Sequence, residues 1–196
     1  IPALLVAGIL LKQSVDGFED EITSANEKIV EGIKETIEKS MIGVEDIIET
    51  VGDTIDTRRI TTLQKDMMQK VVENSELISQ IYIMDAIGMQ IYKTSGTLGD
   101  RSSREYFQRA IKGELNYSDV LISGTTGKPI VVLAMPLEKG NGVIGASIDL
   151  SGLYELLRDY EDGLGSYGFI VERSGLTIAH KEEKFVEEQL DATFLE

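Results

Sequence analysis

The chain of 196 residues has no cysteine and only one histidine. Without cysteine there is no disulfide framework, no zinc finger, no iron–sulfur site and no cysteine nucleophile. One histidine leaves little for a Ser–His–Asp triad or a His-rich metal site. Basic side chains are also few, with 19 Lys and Arg against 34 Asp and Glu, and the net charge is −15. Nucleic acids are therefore disfavoured as partners, because basic patches supply most of the affinity for them.

These absences favour a binding or signalling module over a hydrolase. No nucleophile and base occur together at a usable spacing, so we predict that the protein is not an enzyme and uses no cofactor. Proline is rare, at three residues, and 42% of the residues are apolar. That composition rules out a chain that is disordered throughout, and the length allows one or two domains with a real core.

The first eleven residues carry no charge and precede Lys12. Eleven residues are too few to cross a bilayer, which needs about 20. They also lack the charged start and the cleavage site of a signal peptide. We expect residues 1–11 to be the end of a transmembrane helix whose beginning lies outside this chain; a buried turn of helix is the alternative.

Apolar residues then recur in steps of three or four, which is the spacing of one face of a helix. We call these positions the apolar stripe: Val15, Phe18, Ile22, Ala25, Ile29, Ile33, Ile37, Met41, Val44, Ile48, Val51 and Ile55. No proline interrupts the stripe, so it predicts one helix of roughly 60 Å. Two helices with a break near Gly43 are the alternative. Because the stripe extends further than one compact module can cover, we expect two copies to pair along it as a homodimer.

After residue 76 the apolar period becomes that of strands. Two runs, Leu77–Met84 and Met89–Lys93, flank a turn that contains Asp85 and Gly88, which predicts a hairpin. A helix follows over SSREYFQRAIKG, with Ser102 or Ser103 as its N-cap and Gly113 at its end. Three further strand-like runs are Tyr117–Ser123, Ile130–Leu137 and Val143–Leu150, and a short helix follows them. Five strands with tight connections predict an α+β fold in which the long helix packs on an antiparallel sheet.

The hairpin recurs 87 residues later, where Tyr82–Tyr92 lines up with Phe169–Ala179. The pairs of similar residues are Ile83 with Ile170, Asp85 with Glu172, Gly88 with Gly175, and Ile91 with Ile178. We predict that residues 12–75 form the long helix and a connecting helix, that 76–160 form a complete module, and that 161–196 begin a second, truncated one. Chance similarity between two hairpins is the alternative.

In order and spacing these segments resemble the extracytoplasmic double-Cache sensor domain of methyl-accepting chemotaxis proteins and sensor kinases. The segments are DRSSREYFQRAIKG, TTGKPIVVLAMPL, GVIGASIDLSGL and YGFIVERSGLTIAH. The resemblance implies a PAS-like five-stranded sheet in each module and a ligand pocket in the membrane-distal one. It also implies a location at the cell membrane, with this region outside, and signalling across the membrane through the long helix.

The resemblance also implies a ligand site. Arg104, Tyr106 and Phe107 match the Arg-x-aromatic-aromatic motif of amino-acid-binding members, and Tyr117 and Asp119 match in type a Tyr and an Asp two residues apart. An Arg guanidinium can form two parallel hydrogen bonds with a carboxylate. Aromatic rings can line a pocket and form cation–π contacts with an ammonium group.

Two positions depart from that motif. Gly99 stands where a Tyr is expected, and Ser147 stands where an Asp would bind the amine of the ligand. Asp149 lies two residues further on and therefore on the same face of its strand. We predict a site made of Arg104, Tyr106, Phe107, Tyr117, Asp119, Ser147 and Asp149, and a ligand that is an amino acid or a small carboxylate.

Each of these residues also has a structural interpretation. Arg104 would pair with Asp100 or Glu105 at the surface, the two aromatic residues would be core, and Asp149 would cap the helix after it. We interpret His180 as a surface residue at a strand end rather than a metal ligand.

The predicted function is the ligand-sensing domain of a transmembrane chemoreceptor. The input domain of a sensor histidine kinase or cyclase is the first alternative, since its fold would be the same. A pilin-like filament subunit is the alternative from another class, because pilins also begin with an apolar helix that leads into a β-rich head.

Overall fold

The structure is a computed structural model that describes residues 2–139, 141–152, 169–171 and 177–180, with side chains from residue 22 onward. Its helices are α1 (Pro2–Thr54), α2 (Thr62–Asn74) and α3 (Glu105–Ala110). Its strands are β1 (Ile78–Met84), β2 (Gln90–Lys93), β3 (Asn116–Tyr117), β4 (Leu121–Ile122), β5 (Pro129–Leu137), β6 (Gly142–Asp149), β7 (Ile170–Val171) and β8 (Thr177–Ala179). The chain divides into two units, Ile1–Met41 and Ile42–Glu196.

The first unit consists of the helix α1 up to Met41. The prediction of one long helix is confirmed, and the alternative of a break near Gly43 is wrong, because α1 is continuous from Pro2 to Thr54. Along the stripe Ile22 is 59% exposed, whereas Ile33 and Ile37 are partly buried. Over the residues that the structure describes, no helix combines the length and the apolar content that a bilayer crossing requires.

The second unit is built on an antiparallel sheet in the order β2-β1-β6-β5-β3, with β4 also paired to β5. The predicted α+β fold with an antiparallel sheet is confirmed. One difference concerns the predicted strand Tyr117–Ser123, which is divided into β3 and β4. At Ser118 the backbone N–H donates to Val132 O, but the Val132 N–H donates to the Ser118 hydroxyl, 2.9 Å away. A side-chain oxygen thus replaces the backbone carbonyl in the ladder, and the strand ends there.

The end of α1 in the second unit packs on one face of this sheet. Val44, Ile48, Val51 and Ile55, the last four positions of the stripe, are all buried. A Cβ atom placed on Gly52 would lie 3.4 Å from Leu137 of β5 and 3.5 Å from Ile144 of β6. Because side chains alternate along a strand, Val143, Gly145 and Ser147 point to the opposite face.

The first hairpin has the predicted turn. The Asp85 carboxylate accepts hydrogen bonds from the backbone N–H groups of Ile87 and Met89, at 3.0 and 2.9 Å. Gly88 has φ of +89°, a conformation that glycine adopts without steric cost. Its carbonyl accepts a 2.8 Å hydrogen bond from the Arg101 N–H, so the turn also supports the loop before α3.

The predicted cap of α3 is wrong. The N-cap is Arg104, without a side-chain cap hydrogen bond, and the helix begins at Glu105 rather than after Ser102 or Ser103. The reason is a turn at Asp100, whose carboxylate accepts a 2.8 Å hydrogen bond from the Ser102 N–H and continues the loop by two residues. After α3 the chain turns through Gly113, at φ of +99°.

The internal repeat is confirmed by strand register. In the first hairpin Ile83 pairs with Tyr92 and Met84 with Gln90, and the register shifts between Ile83 and Met84. In the second, the pairs are Ile170 with Ala179 and Val171 with Thr177, and the register shifts between Ile170 and Val171. All four positions and the irregularity recur 87 residues later. The helix predicted after Ser151 and the turn at Glu172 and Gly175 lie outside the described residues, and the module boundaries stay predictions.

Candidate ligand-binding cavity

A cavity of about 360 Å³ lies on the face of the sheet opposite α1. Its base is formed by β1, β5 and β6, with Gln80, Tyr82 and Ser147 among the lining side chains. The segment before α3 contributes Arg101, and β4 with the turn after it, residues 121–125, lines another side. We call this space the first cavity.

The ring of Tyr82 forms part of the base. Tyr82 is buried and pairs with Gly145 on β6, where a Cβ atom would come within 2.6 Å of Tyr82 Cζ. Burial raises the pKa of Tyr82 well above its ordinary value and the neighbouring Tyr106 raises it further, whereas Arg101 and Ser147 lower it. The Tyr82 hydroxyl therefore stays protonated as a neutral polar group.

Two buried amides tie the loop 94–101 to the strands beneath it. Gln80 Nε2 donates to the backbone oxygen and to the hydroxyl of Ser95, at 2.7 and 2.8 Å. Gln90, only 2% exposed, accepts a 3.0 Å hydrogen bond from the Gly99 N–H. These bonds position the loop that bears Arg101.

Three cations line the first cavity, namely Lys93, Arg101 and Arg104. Lys93 Nζ lies 3.5 Å from the Thr125 hydroxyl. Burial lowers the pKa of Lys93, and the positive charge of Arg101 lowers it further. Arg101 Nη1 donates to the Asp100 carbonyl, 2.9 Å away.

The seven predicted site residues are not all in one place. The first cavity brings together Arg104, Tyr106 and Ser147. Arg104 is largely exposed, while Tyr106 and Ser147 are buried. Tyr117 and Asp119 line a second cavity of about 230 Å³, which shares Arg104, Tyr106 and Leu121 with the first. The two cavities are therefore neighbours on either side of these shared residues.

Phe107 and Asp149 line neither cavity. Phe107 is buried in an apolar cluster with Ala110 and Val143, as its core interpretation expects. The Asp149 carboxylate accepts a 2.8 Å hydrogen bond from the Ser151 N–H. The helix that Asp149 is predicted to cap lies outside the described residues. Asp149 nevertheless shares the cavity face of β6 with Ser147.

Among the residues described, no group of three or more His, Asp or Glu side chains is placed to bind a metal ion. His180 follows β8, with its ring centroid 6.1 Å from that of Phe169. The chemistry available at the first cavity is therefore that of cationic and neutral hydrogen-bond donors around an aromatic base.

The family model of the Cache domain matches residues 14–193. The chain belongs to the Cache domain family. One curated relative is the methyl-accepting chemotaxis protein McpB of Bacillus subtilis, 29% identical over 87 residues, which are 43% of this chain and 13% of McpB. The resemblance to chemoreceptor sensor domains is thereby confirmed.

Solved structures share the fold of this Cache domain. The ligand-binding domain of the Pseudomonas fluorescens chemoreceptor CtaA, in complex with L-serine, matches with a TM-score of 0.64 at 20% identity, over 85% of this chain and 75% of that one. A domain of a sensory box/GGDEF family protein from Vibrio parahaemolyticus matches with a TM-score of 0.65 at 18% identity, over 85% and 79% of the two chains.

In this Cache domain one hydrogen bond joins the second cavity to α1. Tyr117 donates to Glu45 Oε1 at 2.8 Å, and burial together with Glu45 raises the pKa of Tyr117 far above its ordinary value. Asn116, next to it, donates to the backbone oxygens of Tyr106 and Glu114 and so attaches α3 to β3.

Sequence reasoning missed Lys93, Arg101, Gln80 and Tyr82 as lining residues. Gln80 and Tyr82 are separated by two positions on β1, and a Gln within the apolar run ISQIYIM was a signal for a polar cavity face. Lys93 and Arg101 carried no such signal, because they reach the first cavity through the β1–β2 register and the loop after it.

Proposed function

We propose that this Cache domain is the extracytoplasmic ligand-sensing region of a membrane-anchored chemoreceptor. Its ligand, an amino acid or a small carboxylate, binds in the first cavity with its carboxylate on Arg104. The observation that supports the proposal is the cavity itself, whose lining includes Arg104 together with the buried Tyr106 and Ser147. The complex of the CtaA domain with L-serine supports it, since that domain shares the fold.

Signalling follows from the two faces of one sheet. The ligand contacts strands whose opposite face packs on the end of α1, and the bond from Tyr117 to Glu45 links the cavity edge to the same helix. Closure around the ligand then shifts α1 by a small slide or rotation. The shift occurs only if the ligand binds one arrangement more tightly than the other.

Binding is tested by calorimetric titration of the 196-residue chain with L-serine, L-alanine, succinate and L-malate. The substitution Arg104→Gln should weaken binding of the ligand that is found by tenfold or more, because a hydrogen bond to a charged group contributes about 1.5–3 kcal/mol. Arg59→Gln removes the same charge from an exposed site outside both cavities and should leave the affinity unchanged. Equal affinity of Arg104→Gln and the unsubstituted chain contradicts the role of Arg104.

The proposal includes a homodimer formed along the stripe. Ile33 and Ile37 are partly buried on α1, and a charge at each should disrupt the pairing of two apolar faces. The double substitution Ile33→Glu and Ile37→Glu should convert dimers to monomers in sedimentation velocity, whereas Val30→Glu, at a 63% exposed position off the stripe, should not. An unsubstituted chain that sediments as a monomer, or a double variant that stays dimeric, contradicts this interface.

The input domain of a histidine kinase or cyclase remains the second candidate. It is favoured by the similarity to the domain of the sensory box/GGDEF family protein. The coding sequence downstream of this chain distinguishes the two outputs. A pilin-like subunit has no comparable support, and electron microscopy for filaments would test it.

A further inference from the structure

The charge of the first cavity is opposite to that of the chain. The chain has a net charge of −15, yet three cations and no Asp or Glu occur among the described residues that line this space. The other polar groups in the lining are neutral, including the amides of Gln80 and Gln90. The cavity therefore offers hydrogen-bond donors and positive charge to whatever occupies it.

None of the three cations forms an ion pair in the part of the chain that is described, although hydrogen bonds from Ser102 and then the charge of Arg101 lower the pKa of the neighbouring Asp100. The ion pairs found there are Lys34 with Glu31, Arg58 with Asp56 and Arg109 with Glu114. Asp100 is next to Arg101, but its carboxylate accepts from the Ser102 N–H, and Arg101 donates to the backbone oxygen of Asp100. Neighbouring unpaired cations repel one another, and an anion between them would relieve that repulsion.

From this arrangement we propose that the ligand is a small dicarboxylate rather than an amino acid. One carboxylate binds to Arg104 and the other to Lys93 and Arg101. The inference rests on the proposed function and specifies the ligand class of the same site. An amino acid would place its ammonium among three cations with no opposing carboxylate in the lining, and desolvation of an unpaired charge is costly.

Two local features support the second carboxylate position. A Cβ atom on Gly99 would lie 2.8 Å from Arg101 Nη1, so the missing side chain leaves the space that the guanidinium occupies. Lys93 Nζ lies 3.5 Å from the Thr125 hydroxyl, and the pKa of Lys93 is lowered first by burial and then by the positive charge of Arg101. A volume of about 360 Å³ is near the lower end of ligand pockets and suits a ligand of a few carbons.

Asp119 and Glu105 are the two carboxylates that line the second cavity, and both are exposed. Arg104, Tyr106 and Leu121 belong to both cavities. An amino acid that bridges the cavities would put its ammonium on Asp119, the residue that matches the Asp of the amino-acid-binding motif. The substitution Asp119→Asn therefore distinguishes the two ligand classes.

The test is calorimetric titration of the 196-residue chain with succinate, L-malate, L-serine and inorganic phosphate, at two salt concentrations. Succinate or L-malate should bind at least tenfold more tightly than L-serine, and the affinity should fall as salt is raised. Arg101→Gln and Lys93→Gln should each weaken dicarboxylate binding tenfold or more, while Arg59→Gln and Asp119→Asn should not. Circular dichroism of each variant confirms that it is folded, and the two cation variants provide independent tests.

Other results overturn the inference in distinguishable ways. Tighter binding of L-serine than of either dicarboxylate, with loss on Asp119→Asn, overturns the dicarboxylate assignment and leaves the proposed sensing function intact. If phosphate binds and neither dicarboxylate does, the three cations bind a phosphate group, and this result also overturns the dicarboxylate assignment. If none of these probes binds, the proposed function of the first cavity falls with it.

Discussion

Replacing Ile48 by alanine is expected to lower the free energy of unfolding by about 3 kcal/mol, within the range of 2–5 kcal/mol typical of such truncations in a core. Ile48 is completely buried, and it lies on the face of α1 that packs against the sheet. Alanine removes three carbon atoms from this interface. The loss combines their transfer free energy with the cost of the cavity they leave. Urea denaturation followed by circular dichroism measures the change.

The adjacent residue provides a matched control. Ile47 is 41% exposed on the same helix, so Ile47→Ala makes the same chemical change with the same effect on helix propensity. It should cost less than about 1 kcal/mol, since a partly exposed side chain loses little buried area. Similar losses for the two variants would mean that α1 does not pack on the sheet as described.

The substitution Gly88→Ala should destabilise the second unit by about 3 kcal/mol or more. Gly88 has φ of +89°, where an L-residue costs roughly 1–2 kcal/mol. The added Cβ atom would also lie 2.5 Å from Ser102 Cα and 2.6 Å from Ser102 N, and backbone atoms cannot move aside cheaply. The hydrogen bond from the Arg101 N–H to Gly88 O would be disturbed as well, so ligand affinity should fall together with stability.

The substitution Gly113→Ala separates the backbone strain from the steric clash of the added Cβ atom. Gly113 also has a left-handed φ, of +99°, but a Cβ atom there would have nothing within 4 Å. Gly113→Ala therefore carries the backbone strain without the clash and should cost about 1–2 kcal/mol. The additional loss of unfolding free energy in Gly88→Ala measures the steric contact with Ser102. Equal losses of unfolding free energy for the two variants, measured by thermal or urea unfolding, would exclude that contact.

The elements with regular periods could be predicted from the sequence. The spacing of the stripe predicts α1, and alternation predicts most of the strands, because both patterns record which side of an element is buried. The repeat was also visible, since Asp85 and Gly88 are local requirements of one turn. The start of α3 and the division between β3 and β4 could not be predicted from these patterns. Each depends on a side-chain oxygen that accepts a backbone hydrogen bond, the Asp100 carboxylate in one case and the Ser118 hydroxyl in the other.

The site was only partly predictable. Arg104, Tyr106 and Ser147 were identified through the resemblance, and all three line the first cavity. Phe107 was identified by the same motif, and it is buried in the apolar cluster that also contains Tyr106, but it lines neither cavity. The motif therefore lies in a segment that lines a cavity, but it did not indicate which of its side chains would face that cavity.

Composition and local patterns were enough to predict an acidic, cysteine-free α+β protein with a long helix and a repeated hairpin, because these properties depend on residues close together in the chain. Membership of the Cache family was indicated by the resemblance, which rests on the order and spacing of the segments. The tertiary structure alone decided the charge of the cavity. Lys93 ends β2, Arg101 lies in the following loop and Arg104 precedes α3, and the folded sheet brings them to one space. No local sequence pattern predicts that these three side chains line one cavity, because their proximity depends on strand register and loop closure across the whole second unit.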